Sequence, residues 1–297
     1  MRVRPTTLLQ YEQCPRAYSY KYVLRLRNVV EKVNLVFGTT VHKTVTDWLI
    51  TLAMGSDVAT PDALENLFLE AWNAKTHAIA LEYSTLMGPE MVPKVGARLV
   101  HQFASRWPDW DLDVVFDDQG KPVIEQRLEA DLGGGLVLST APDVLTMDRE
   151  GLIMPLDFKT AASPCEPWFP EMSDQLTAQQ LAIEANRDRL MIAQVDRIGF
   201  GELIKKAVSQ KETGANGGPQ VLAPKTAPRR STRQLREYVN KVHDLAEDIA
   251  AERFPARPGS AFNSPCKMCD FLGYCKDGDM TGLTEAPRDA SGTAIAA

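Results

Sequence analysis

Val137 to Thr160 reads VLSTAPDVLTMDREGLIMPLDFKT, and its periodicity decides the fold. Two apolar runs, each carrying one aspartate (Asp143 and Asp157), flank a polar turn at Met147 to Gly151. Run, turn and run together are a hairpin signal. Residues i and i+2 of a strand face the same way, so Asp157 and Lys159 project together and Phe158 points to the opposite side. The hairpin folds Asp143 back beside them. Two carboxylates and an amine at one sheet edge suit a divalent cation that activates water. Taken alone, Asp157 and Lys159 also read as an ordinary same-face ion pair.

Outward from the hairpin, the period of two continues. Leu112 to Phe116, Pro122 to Glu129 and Leu136 to Thr140 read as strands, Pro142 to Met147 and Leu152 to Phe158 as the hairpin arms, and Gly133 to Gly135 as a turn. Glu125 reads as a surface carboxylate of an alternating strand more readily than as a site residue. Leu190 to Phe200 reads as a final strand. Elsewhere the apolar residues recur at helical spacing. Residues 6 to 27 give helix, break and helix, with Cys14 at the joint and Pro15 opening the second. Val33 to Phe37 is a short apolar stretch and Gly38 a turn. Thr39 or Thr40 then opens a helix whose buried stripe is Val41, Val45, Trp48, Leu49 and Leu52, with His42 in its first turn. Further helices begin at Thr60-Pro61, Pro89, Ser173 and Ser231, the second of them interrupted by Gly96. Strands set among helices give an α/β chain.

Composition excludes several classes. The 297 residues are 44% hydrophobic and 24% charged, ordinary for a globular protein. No apolar run approaches the ~20 residues of a membrane span, and the N-terminus lacks the apolar stretch of a signal peptide. The expected location is intracellular, in a reducing compartment such as the cytoplasm, with no membrane partner. No G-x-x-x-x-G-K loop is present. The net charge is −6, yet Lys205 to Lys241 holds nine Lys and Arg against Glu212 and Glu237, and Arg2 to Arg27 holds six against Glu12. These segments suit either phosphate steering or plain solvation. Residues 209–230 read as a mobile basic loop and 277–297 as a disordered tail.

Three of the five cysteines, Cys266, Cys269 and Cys275, form C-x2-C-x5-C, a metal-ligand spacing. A fourth ligand is needed, with Cys14, Cys165 or a nearby Asp or His as candidates. Zinc and a [4Fe–4S] cluster both accept such a set.

The ordered motifs resemble the RecB-like branch of the PD-(D/E)XK nucleases, iron–sulfur members in particular, as in the AddB nuclease domain and CRISPR-associated adaptation exonucleases. The resemblance lies in Tyr11-Glu12-Gln13-Cys14-Pro15 with the tyrosines that follow, Phe37-Gly38-x3-His42, Asp143, Asp157-Phe158-Lys159, Gln175-Leu176-Thr177-Ala178, and Phe254-Pro255 leading into the C-terminal cysteines. Gln179 stands where relatives carry tyrosine, and Thr140-Ala141-Pro142 where they carry glycine. The resemblance implies a restriction-endonuclease-like central mixed sheet flanked by helices over 1–276, a single domain whose ends are joined by a four-cysteine cluster. It implies a metal-dependent DNA exonuclease of recombination, repair or phage and CRISPR DNA processing, the alternative being a non-catalytic DNA-binding or assembly subunit. His42, Asp143, Asp157 and the Phe158 carbonyl would hold Mg²⁺ or Mn²⁺, and Asp143, Asp157, Lys159 and Gln175 would be catalytic. Cys14, Cys266, Cys269 and Cys275 would hold [4Fe–4S], with zinc as the alternative. Arg229, Arg230, Arg233 and Arg236 would contact the DNA backbone, and Tyr18 and Tyr22 read as core residues more readily than as rings that stack on the bases of a single strand. Partners would be linear or single-stranded DNA ends and a helicase, recombination or adaptation protein, and the location the cytoplasm of a bacterium or of a phage host.

Overall fold

The computed structural model describes residues 1–56, 59–83, 88–207, 218–258 and 264–287. Its pivot is the strand Ile153–Ala161. This strand pairs antiparallel with Val144–Asp148, placing Val144 opposite Leu156, and parallel with Arg197–Ile204, placing Phe200 opposite Asp157 and Glu202 opposite Lys159. Leu112–Val114 extends the sheet beyond Val144–Asp148, while Gln220–Val221 and Lys225–Pro228 pair antiparallel with Arg197–Ile204. The pivot strand is buried from Ile153 to Phe158, as befits a strand covered on both faces.

Alternation divides its side chains between two cores. Leu156 and Phe158 pack on one face under the helices Val33–Ala53, Pro61–Ala78 and Met91–Arg106, with Phe158 edge-on to Phe103 at 5.2 Å. On the other face Ile153 and Phe200 meet Leu176, Ala182 and Ile183 of the helix Asp174–Ala185. A smaller sheet of Arg2–Val3, Val137–Thr140 and Leu128–Asp131 packs its apolar residues against that helix and against Thr232–Ala250. The architecture is α/β, a curled mixed sheet flanked by helices.

Several local readings change. Pro122 to Glu129 is not one strand: Glu125 adopts φ +48°, which interrupts the pairing, so that only the bridges Phe116–Pro122 and Ile124–Val144 form before the strand Leu128–Asp131. Gly38 is not a turn. The helix begins at Val33 and runs through it, and a Cβ on Gly38 would lie 3.1 Å from Thr160 Oγ1. The missing side chain lets the helix lie against the Lys159 strand. Gly96 serves the same purpose between helices, where a Cβ would fall 2.0 Å from the Phe68 ring. The strand expected at Leu190 to Phe200 is Arg197–Ile204, preceded by turns with Met191 at φ +52°, and it is not the last.

Of the expected basic loop, 209–217 lie outside the described residues. From Gln220 the chain forms two edge strands rather than a loop, since the edge of Arg197–Ile204 offers partners for its backbone. The tail beyond Lys276 is likewise not all irregular. Leu283–Glu285 pairs antiparallel with Leu26–Asn28, while 288–297 lie outside the described residues.

Candidate active site

Asp157 is 2% exposed and is held from three sides. Lys159 Nζ lies 2.5 Å from its Oδ2 as an ion pair. Gln175 Nε2 donates to Oδ1 at 2.5 Å and Gln179 Nε2 donates to the same oxygen at 3.0 Å. Gln175 Oε1 also accepts from Lys159 Nζ at 2.8 Å, so one amide bridges the two charged groups. Both glutamines come from the helix Asp174–Ala185, capped by Ser173, where i and i+4 share a face. That shared face was readable in the sequence. It does not follow from the sequence that Gln179, fully buried, points at Asp157 in place of the family tyrosine.

Asp143 enters from the neighbouring strand end and is 6% exposed. Its Oδ2 accepts the Phe158 amide at 2.5 Å, while the Phe158 ring lies in the opposite core. His42 Nε2 is 2.6 Å from the same oxygen, and His42 Nδ1 is 2.9 Å from Glu125 Oε1. Glu125 was missed as a site residue. Alternation puts it on a strand surface, whereas its left-handed backbone turns the carboxylate onto His42, with Thr46 Oγ1 donating at 3.3 Å. His42 follows Gly38 by one helical turn on the same face, so the close approach of Gly38 to Thr160 brings the imidazole to the site.

The charges interact strongly. Burial lowers the His42 pKa, but hydrogen bonds and charge from Asp143 and Glu125 outweigh it and raise the pKa from 6.5 to about 10. His42 is therefore an imidazolium between two carboxylates at neutral pH. The pKa of Asp143 is pushed up from 3.8 to about 6, first by burial and then by the negative charge of Asp157. Glu125 is held below the usual range, chiefly by its hydrogen bond to His42.

Among the described residues, no three His, Cys, Asp or Glu side chains converge as a formed metal site. The donor set nonetheless suits Mg²⁺ or Mn²⁺. Its donors are hard oxygens, the two buried carboxylates repel one another, and the buried Asp157 Oδ2 has the Lys159 ion pair but no directed hydrogen bond.

A groove of about 1820 Å³ runs from Lys159 and His42 past the N-terminal segment to Cys14, Cys266 and Cys269. Its cationic walls include Arg4, Lys21, Arg25, Arg27, Lys43 and Lys75. The first of the two basic segments in the sequence therefore faces the site.

The second segment fares differently. Arg230 is 5% exposed, with Nε donating to Thr177 Oγ1 at 2.9 Å and Nη2 to the Pro170 carbonyl at 2.6 Å. It is a structural residue and offers no face to a phosphate. Arg229 pairs with Glu184 at 2.8 Å, Arg233 pairs with Glu237 at 2.8 Å, and Arg236 is exposed. Tyr18 and Tyr22 lie 4.8 Å apart at the groove wall, half-buried, with Tyr18 stacked on Phe254.

The cysteines gather at one corner without converging. Cys14 separates Pro5–Gln13 from Pro15–Tyr18. Cys266 and Cys269 lie in and just after the turn Pro265–Met268, and Cys275 lies in Leu272–Asp277 beside the Tyr20 hydroxyl. Cys14 and Cys269 pack on the same small core of Ala17, Leu26 and Phe271. The Cys269 thiol is pushed up by burial and then by neighbours including Cys14 and Cys266. All the cysteines are free and half-buried, and Cys165 lies elsewhere, near Lys225.

Two buried acids and a lysine thus meet on and beside the central strand of a mixed sheet rather than at its edge, next to a cationic groove, an arrangement of the nuclease type. The chain belongs to the PD-(D/E)XK nuclease superfamily, whose family model matches residues 2–276. A search of curated proteins gives no match. Among solved structures, the crystal structure of SSO0001 is similar at 12% sequence identity over 93% of this chain and 86% of that one, with a TM-score of 0.38, too loose a likeness to carry an argument. No helix among the described residues is long and apolar enough to cross a membrane.

Proposed function

We propose that the chain is a metal-dependent DNA exonuclease that hydrolyses phosphodiester bonds at linear or single-stranded ends in recombination, repair or phage and CRISPR DNA processing. The observation that carries this reading is Lys159, held by Asp157 and Gln175 on the wall of the cationic groove, its side chain 43% exposed. Asp143, Asp157 and the Phe158 carbonyl would hold Mg²⁺ or Mn²⁺, with His42 joining them as a neutral imidazole once the cation displaces its proton, and the bound metal would polarise the scissile phosphate and acidify a water. Lys159 orients that water or offsets charge as it develops on the phosphate. Gln175 and Gln179 fix the Asp157 rotamer, and Glu125 fixes the imidazole of His42. The Arg4 to Lys75 wall draws in the phosphate backbone. A helicase, recombination or adaptation protein would deliver the DNA end.

The alternative of a non-catalytic DNA-binding subunit draws on the loss of the family tyrosine, but Gln179 meets Asp157 directly. The test is degradation of linear and circular DNA with Mn²⁺. The wild type is expected to degrade linear DNA, and Lys159→Ala to lose at least ~100-fold in rate. Equal degradation by both proteins, or by neither, overturns the proposal.

The four cysteines are proposed to hold a [4Fe–4S] cluster that fastens the two chain ends. Support comes from their shared corner and from contacts between those ends: Tyr11 Oη donates to the Arg253 carbonyl at 2.5 Å and the Arg16 amide to that of Pro255 at 3.3 Å. Visible absorption and bound iron in an anaerobic preparation test this. A colourless protein with stoichiometric zinc favours the zinc alternative.

A further inference from the structure

The segment Ala161 to Ser173 runs from the strand of Lys159 to the helix of Gln175, whose side chains touch, and so forms a lip bordering the site. Its backbone is anchored by buried charged groups. Glu202, 2% exposed, lies opposite Lys159 in the sheet, accepts the Cys165 amide at 2.5 Å and pairs with Lys225 at 2.9 Å. Lys225 also donates to the Cys165 carbonyl, and the buried Arg230 donates to that of Pro170.

The largest side chains of this anchored segment nevertheless face solvent. Trp168 is 56% exposed, Phe169 46% and Met172 73%. A rigid support for exposed aromatic rings is the form of a pre-organised binding surface, since little ordering cost remains on association. The rings lead to the lysine: Trp168 lies 6.2 Å from Phe169, Phe169 5.9 Å from Phe200, and Lys159 Nζ 5.6 Å over the Phe200 ring.

Charge narrows the occupant. From Thr160 to Asn186 the chain holds no Lys or Arg, while Glu166 and Glu171 lie on the lip. The cations beneath it, Lys225 and Arg230, are turned to backbone carbonyls and to Glu202, so the lip offers a phosphate no cation of its own, unlike the opposite groove. A nucleotide strand crossing Lys159 therefore keeps its phosphates on the groove side and turns an unpaired base toward the lip.

We infer that Trp168, backed by Phe169, is a stacking platform for an unpaired nucleobase next to the scissile phosphate, so that the site selects single-stranded or frayed ends. This rests on the nuclease reading above for its substrate, but its test is separable. The full chain is mixed with single-stranded oligonucleotides carrying 2-aminopurine at successive positions, in EDTA to stop turnover. The wild type is expected to quench one or two adjacent positions. Trp168→Ala is expected to abolish that quenching and weaken binding about 5- to 150-fold, whereas Trp168→Phe restores most of both. In Mn²⁺ the loss falls mainly on KM, and more on single-stranded than on blunt duplex ends.

An unchanged affinity and quenching pattern in Trp168→Ala overturns the platform, even if the wild type cleaves DNA. Trp168-dependent quenching by a protein that does not cleave upholds the platform while the nuclease reading fails. A Trp168→Ala change confined to oligomeric mass, with DNA binding intact, assigns the lip to protein contact and overturns the inference.

Discussion

Replacing His42 by glutamine perturbs the one cation that links Asp143 and Glu125. The His42 pKa rises from 6.5 to about 10, and each unit is worth ~1.4 kcal/mol between the protonation states. A group whose folded pKa lies above its unfolded value contributes stability that is complete below the unfolded value and is lost as the pH rises through the folded one. For His42 that window runs from about 6.5 to about 10, with a full contribution on the order of 5 kcal/mol. The Asp143 pKa is also raised, to about 6, so its own destabilisation on ionising is confined to the lower end of the His42 window and is over well below its upper end. The alkaline limb therefore reports on the imidazole. The assay is urea unfolding of wild type and His42→Gln at intervals from pH 6.5 to 10.5 in EDTA, so that protons alone compete for the three side chains. The wild-type advantage is expected to shrink across this range by several kcal/mol and to vanish near its upper end. Parallel pH profiles for the two proteins would refute the imidazolium bridge.

Gln179→Leu removes a hydrogen bond to a buried carboxylate, a loss of ~1.5–3 kcal/mol, but also removes the buried, unpartnered Gln179 Oε1, whose burial costs ~1–3 kcal/mol. Net stability should change little in chemical unfolding, while DNA cleavage falls because Asp157 loses a positioning contact. Arg230→Ala strands the Thr177 and Pro170 acceptors and should cost on the order of 2 kcal/mol in the same assay, whereas Arg236→Ala leaves the unfolding midpoint in place. Glu125→Gln removes one of the two charges that hold His42 protonated, so NMR titration should find a lower imidazole pKa than in the wild type. Cys269→Ser should lower solubility and melting temperature before it alters chemistry; a folded, equally heat-resistant and colourless Cys269→Ser protein would argue against a structural cluster.

The parts of this site that were legible in the sequence follow from fixed periods. Asp157, Phe158 and Lys159 alternate because a strand alternates, and Gln175 and Gln179 share a face because a helix turns in about 3.6 residues. Neither inference needs the rest of the molecule. Glu125 and Arg230 were misassigned because each depends on a departure from period. One backbone at φ +48° swings Glu125 off the strand surface. The edge strand Lys225–Pro228 delivers Arg230 between the helix Asp174–Ala185 and the lip, whereas an extended basic loop would have left it in water. Gly38 lies between these cases. As a lone glycine in an apolar run it reads as a turn, and only the 3.1 Å approach to Thr160 shows it to be the point where helix and sheet touch. That contact gives the spacing from Gly38 to His42 its physical meaning. A side chain at Gly38 crowds Thr160 by a few tenths of an ångström, and wherever the Thr160 side chain does not yield, the helix shifts and carries His42, one turn along the same face, from Asp143.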